Sequence, residues 1–164
     1  MTGREYTICT AEESELGYDK RCHYISVGDN AIFRESPYKR FGGITAEDGF
    51  FVKADGNSLF IGGNSDRAIF YGAYELLRTL GCDFYTADCE YVPVGITIEA
   101  AAIDIVSLPS VTLRQYLAYE TCYDHTEAQF AVKSGVNTSY AAIGGELGGT
   151  VRFGSHGADT HNAR

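Results

Sequence analysis

The side chains able to do chemistry are scattered along this chain rather than gathered in a recognisable motif. Glu120, Asp124, Glu127, Glu146 and Asp159 could serve a reaction that needs a paired acid and base. None sits in a catalytic pattern, and each reads as readily as a helix-start or surface residue; Asp124 in particular holds the position of a helix N-cap. His156 and His161 stand five residues apart in a glycine-rich tail, where they could line a ligand site or bind a metal, but no helix and no third ligand accompanies them. Cys9, Cys22, Cys82, Cys89 and Cys122 form neither an even disulfide set nor a CxxC zinc pattern, so free, partly buried thiols are expected. A bridge between Cys82 and Cys89 across DFYTAD stays open. Cys22 and His23 are adjacent and would point to opposite faces of a strand, a poor nucleophile–base or metal pair. No GxxxxGK[ST] or GxGxxG is present, so nucleotide binding has no positive support. Neither a metal nor a cofactor is expected.

The elements that must position these residues are clearest from Gly49 to Pro93. Phe50 and Val52 alternate, then Leu59 and Ile61, and Asp55-Gly56 between them supplies positive φ for a two-residue hairpin turn. Gly62-Gly63 breaks the second strand, Asn64 or Ser65 can cap a helix, and Asp66 sits where the helix dipole favours an anion. Ala68, Ile69, Tyr71, Gly72, Leu76 and Leu80 recur near helical spacing, and Gly81 stands at the left-handed C-terminal stop. Gly72 costs roughly 1 kcal/mol relative to Ala within a helix, so it is expected to permit close approach to a sheet. Of Tyr71 and Tyr74, three apart, at least one should pack inward with its hydroxyl bonded.

Further strands are expected over Tyr6–Thr10, His23–Val27, Asp83–Tyr85, Thr97–Ala100 and Ile103–Val106, with a short segment over Ala31–Glu35. This predicts an α+β domain, a mixed sheet with one long packed helix. Leu108-Pro109-Ser110 marks a boundary, since proline drives the preceding residue out of the helical region. Beyond it, a strand over Val111–Ala118, a helix over Asp124–Ser134 stopped by Gly135, and a strand over Val136–Ala142 give a short β-α-β fragment. The last residues, rich in Gly and small polar groups, read as a flexible tail.

Asp48-Gly49-Phe50, Leu59 to Gly63, Arg67, Tyr71-Gly72-Ala73-Tyr74, Leu76-Leu77, Gly81-Cys82 and Tyr91-Val92-Pro93 come in an order and spacing that resembles a known accessory domain. It is the small α/β domain before the catalytic barrel of glycoside hydrolases, as in the alpha-glucuronidase N-terminal domain and its beta-hexosaminidase relative. The resemblance covers roughly Tyr6 to Ser107, with Tyr24 to Asp29 (YISVGD) similar to an earlier strand. It implies an accessory domain over residues 1–108 that carries no catalytic residue and supports its neighbour. Residues 109–164 would be the incomplete start of a (β/α) barrel, since a whole one takes about 250 residues. It further implies that Arg114 reaches a sugar hydroxyl or carboxylate with its rigid donor fork, although a solvent-facing strand arginine fits the sequence equally. His156 would join it in substrate binding. Implied partners are the rest of the barrel and, in the full-length parent, carbohydrate. The parent would cleave a glycosidic bond with paired carboxylates; this chain alone is expected to be inactive.

The alternative is a stand-alone carbohydrate-binding or protein-interaction module. It predicts that Val111–Arg164 folds onto the first domain and covers its apolar surface, whereas a fragment predicts exposed apolar strand faces, a homo-oligomer or a disordered tail. The 12 tyrosines support carbohydrate contact only slightly, because tyrosine is also half-buried filler.

Composition excludes some classes. With 22 acidic against 13 basic side chains the net charge is −9, which disfavours nucleic acid and anionic membranes, and Lys20-Arg21 and Lys39-Arg40 are isolated surface pairs. No apolar run approaches the roughly 20 residues of a membrane-spanning helix, and MTGREYTICT lacks a signal-peptide pattern. The compartment is left open. Asn137-Thr138-Ser139 is a glycosylation sequon that matters only in a eukaryotic secretory setting.

Overall fold

The computed structural model describes residues 7–10, 17–39, 44, 46–97, 99–115, 125–137 and 143–151. The hairpin is its centre. Strands β2 (Phe50–Asp55) and β3 (Ser58–Gly63) pair antiparallel from Phe50↔Gly63 to Asp55↔Ser58. The loop is Gly56-Asn57, one residue later than the Asp55-Gly56 step expected, and Gly56 alone takes positive φ, at 60°. A two-residue loop with glycine at its first central position matches the twist of the flanking strands.

Strand β1 (Ile25–Val27) adds parallel to β3, and β6 (Asp104–Ser107) adds antiparallel to β2, giving a mixed sheet of order β1-β3-β2-β6. Between them in sequence lie α1 (Ala31–Glu35), α2 (Asp66–Thr79) and a two-strand ribbon of β4 (Asp83–Phe84) and β5 (Glu90–Tyr91). A helix α3 (His125–Lys133) comes after the sheet. The chain is thus of the α+β class, as its patterning predicts.

Helix α2 forms where its signals lie. The Ser65 hydroxyl accepts from the Ala68 amide, Asp66 opens the first turn, and Gly81 stands just past the end at φ 88°. Its buried stripe, Ala68, Tyr71, Gly72 and Leu76, lies on the sheet face that carries Phe50, Val52, Leu59 and Ile61. A Cβ on Gly72 would stand 2.9 Å from Ile61 Cγ2 and 3.3 Å from Phe50 Cδ2, so the helix backbone approaches the sheet more closely than alanine allows. The opposite face, Phe51 and Phe60, is covered by Ile44 and by Tyr18, Ile32, Phe33 and Tyr38.

Helix α3 packs on α2: Ala128, Ala131 and Val132, with Val136 and Ile143, share a cluster with Phe50, Ala68 and Tyr71. Gly135, at φ 79°, ends it as expected. Lys133 at its C-terminal end pairs with Glu90 at 2.9 Å and lies 5.0 Å above the Phe84 ring, which Tyr74 meets edge-on, tying α3 to the β4–β5 ribbon.

Several expected strands are corrected. Thr7–Thr10 is no strand and stands exposed, with Ile8 94% accessible. Thr97, Glu99 and Ala100 form none either; a 3₁₀ turn, Ala100–Ala102, replaces it because three successive alanines lack the β-branched side chains that favour a pleat. Val111–Gln115 is irregular, and so are Val136 and Asn137: the Asn137 amide donates to Arg114 O and the Val151 amide to Asn137 O, but side chains take the Arg114 amide and the Val136 carbonyl, which interrupts a ladder among the described residues. The remainder of those two stretches, with Tyr6 and Asp124, lies outside the described residues. The short β5 and the helical nature of Ala31–Glu35 are additions that the structure makes.

Candidate functional site

The chemically richest place is a buried carboxylate. Asp48 is the third residue of a turn in which the Gly49 amide donates to Ala46 O at 2.9 Å, and it has φ 60°. Aspartate tolerates this left-handed conformation better than most residues. The turn carries its side chain beneath the N-terminal end of α2, where it is 0% exposed.

Four side chains reach it: the Ser65 hydroxyl, at the cap of α2, donates to Oδ1 at 3.4 Å, and three closer donors come from separate parts of the chain. Arg67, on the first turn of α2, donates from Nε to Oδ1 at 2.9 Å and places Nη2 2.8 Å from the same oxygen. Arg114 donates from Nη2 to Oδ2 at 2.7 Å, and Asn137 from Nδ2 to Oδ2 at 2.8 Å. The donors are themselves held. Asn137 also donates to Thr112 O at 2.7 Å and accepts from the Arg114 amide at 2.8 Å. Arg114 Nε donates to Gly135 O at 2.7 Å and Nη1 to Val111 O at 3.0 Å, with the guanidinium 5.2 Å over the Tyr71 ring. Arg67 Nη1 reaches the carbonyls of Gly148 and Gly149 at 3.3 and 3.4 Å, while Nη2 lies 3.6 Å from Glu47. Gly148 has φ 87°, and a Cβ there would stand 2.6 Å from Arg67 Cα, so only glycine lets that loop approach the helix. Among the described residues no buried side-chain nitrogen or oxygen lacks a partner.

Electrostatics derive from this geometry. Burial alone would push the Asp48 carboxyl up, but hydrogen bonds from Arg67, Asn137 and Arg114 and the Arg67 charge outweigh it and hold it below the ordinary aspartate value. Burial and the Asp48 charge push the Tyr71 phenol up to about 12; its hydroxyl donates to Val136 O at 3.0 Å. An ionised carboxylate surrounded by fixed donors and closed to solvent cannot shuttle protons to a substrate. It can hold chain segments together.

Of the residues singled out by sequence, Arg114 belongs to this cluster, its fork directed at Asp48 and two carbonyls. His156, like His161, Glu120, Asp124, Asp159 and Cys122, lies outside the described residues. Glu127 lies in the first turn of α3 and Glu146 in a 3₁₀ turn, Gly145–Leu147. Cys9, Cys22, Cys82 and Cys89 are free thiols, and among the described residues no three His, Cys, Asp or Glu side chains gather to hold a metal. Asn137 of the sequon is fully buried with its amide engaged.

Asp48, Arg67 and Asn137 were not readable as a unit. The signal available was Arg67, a cation one residue before Ala68 and four before Tyr71 on the apolar stripe; a buried cation requires a counter-charge. Which carboxylate supplies it is settled only by the tertiary fold. Comparison with family models, curated proteins and solved structures finds no match for this chain.

Proposed function

We propose that this chain is the non-catalytic N-terminal support domain of a carbohydrate-active glycoside hydrolase, alpha-glucuronidase-like, joined to the opening segment of its catalytic barrel. The reading rests on the sequence resemblance, and the observation that supports it best is the Asp48 cluster. It spends two arginines and a carboxylate on joining the α+β unit, through Asp48 and Arg67, to the segment beyond Pro109, through Arg114 and Asn137. Such a joint suits a domain whose task is to seat a neighbour. The mixed α+β architecture is compatible with it.

One observation favours the second reading, a stand-alone binding or interaction module. Helix α3 and Val136 already cover the apolar face of α2, as that reading anticipates. Hydrogen exchange monitored by mass spectrometry, with uronic acids and N-acetylated sugars added in turn, separates the two. The support-domain reading expects protection unchanged by any sugar and no turnover of aryl glycosides. Protection increased by one sugar would favour the binding module and contradict the proposal.

A further inference from the structure

At the carboxyl ends of the only two parallel neighbours in the described sheet, β1 and β3, the chain leaves in opposite directions. From β1 it passes through Gly28 into α1, whose Ile32 and Phe33 pack on the Phe51–Phe60 face; from β3 it passes through Gly62-Gly63 into α2 on the other face. Adjacent parallel strands whose connections diverge to opposite faces leave a crevice between the loops, and in open α/β sheets ligands bind in such crevices. Here the crevice is a half-open pocket of about 180 Å³.

Its walls define what it would take. Phe33, Phe51 and Ile69 supply apolar surface, and the two rings lie 6.1 Å apart at 25°, forming one continuous wall. The Gly28, Gly62 and Gly63 backbones add to the lining. Two charges stand there. Asp29 is already held by Arg34 through both oxygens, at 2.8 and 2.9 Å. Lys39, also on the lining, is exposed and has no carboxylate paired with it among the described residues. The volume is below the roughly 300–1,000 Å³ of pockets that take drug-sized ligands, which restricts the occupant to a single ring.

The geometry points to a binding site for a small carboxylate with a flat apolar body, such as a monocyclic aromatic acid: the ring lies against Phe33 and Phe51, and the carboxylate faces Lys39. The site shares no lining residue with the Asp48 cluster and does not depend on the proposed support role.

The test uses the full chain and three probes of one shape: phenylacetate, neutral 2-phenylethanol and cationic phenethylamine, each titrated at low salt and monitored by amide NMR shifts. Phenylacetate should shift Gly28, Gly62 and Ile69 saturably and bind more tightly than either analogue. Lys39→Glu should weaken phenylacetate about fivefold or more, the upper end for an exposed ion pair, and erase its advantage over phenethylamine, while Lys39→Arg retains both. Because Lys39 is exposed, the variants should keep the parent spectrum elsewhere. No saturable shift at those three amides, shifts confined to other residues, or a charge order unchanged by Lys39→Glu would overturn the assignment.

Discussion

Asp48 concentrates the residue-scale consequences, because one buried carboxylate balances Arg67 and Arg114 at once. Removing one partner of a buried ionic cluster leaves an uncompensated charge and costs about 3–5 kcal/mol. Asp48→Asn keeps the shape and the tolerance of positive φ, so its cost isolates the charge; urea unfolding at pH 7 should show a loss of that order. The pH dependence has a definite sign. The folded carboxyl titrates below its ordinary 3.8, so its stabilisation is complete above that value and fades as pH falls through the lower, folded one. The deficit of Asp48→Asn should therefore shrink below about pH 4, and a deficit constant from pH 7 to pH 3 would contradict the charged cluster. Tyr71 gives an independent check: its phenol should ionise near 12, and Tyr71→Phe should remove one tyrosine's worth of absorbance change from that part of the titration. Little of this is legible in the sequence. Arg114 stands out because its guanidinium is chemically conspicuous, but the partner that uses it is 66 residues away, and no local pattern encodes such a pairing.

The elements are more legible, since their signals are local. The hairpin, the Ser65 cap and the Gly81 stop of α2 derive from alternation, side-chain capping and positive φ within a few residues. Ser65→Ala should cost about 1 kcal/mol in thermal or urea unfolding, the usual value of an N-cap. Gly72→Ala separates two opposed effects. Propensity alone favours alanine by roughly 1 kcal/mol, whereas the sheet beneath leaves no room, with Ile61 Cγ2 at 2.9 Å from the new Cβ. Net destabilisation, read as a lowered Tm, is expected; a raised Tm would mean that α2 sits further from the sheet. The strands that patterning misplaces fail for a physical reason as well. TICT and VTLRQ alternate suitably, but a strand requires a continuous run of paired backbone groups; Arg114 O accepts from the Asn137 amide, while the Arg114 amide goes to the Asn137 side chain instead of a ladder.

Polar ties hold the α+β unit to the segment beyond Pro109 at both ends of α2, the Asp48 cluster at its N-terminal end and Lys133 with Glu90 and Phe84 near the other. Between them runs the apolar contact of Ala128, Ala131 and Val132 with Ala68 and Tyr71. The fold class can be read from the order of patterned segments, but the joint cannot, because it is built from single residues of separate stretches. A support role requires that the joint be energetically real. The most direct measurement is a double-mutant cycle of Asp48→Asn and Arg114→Gln by urea unfolding at pH 7. A true pair across the joint predicts coupling of more than about 1 kcal/mol, with the double variant losing much less than the two single losses combined. Losses additive to within about 0.5 kcal/mol would contradict a joint made by this carboxylate.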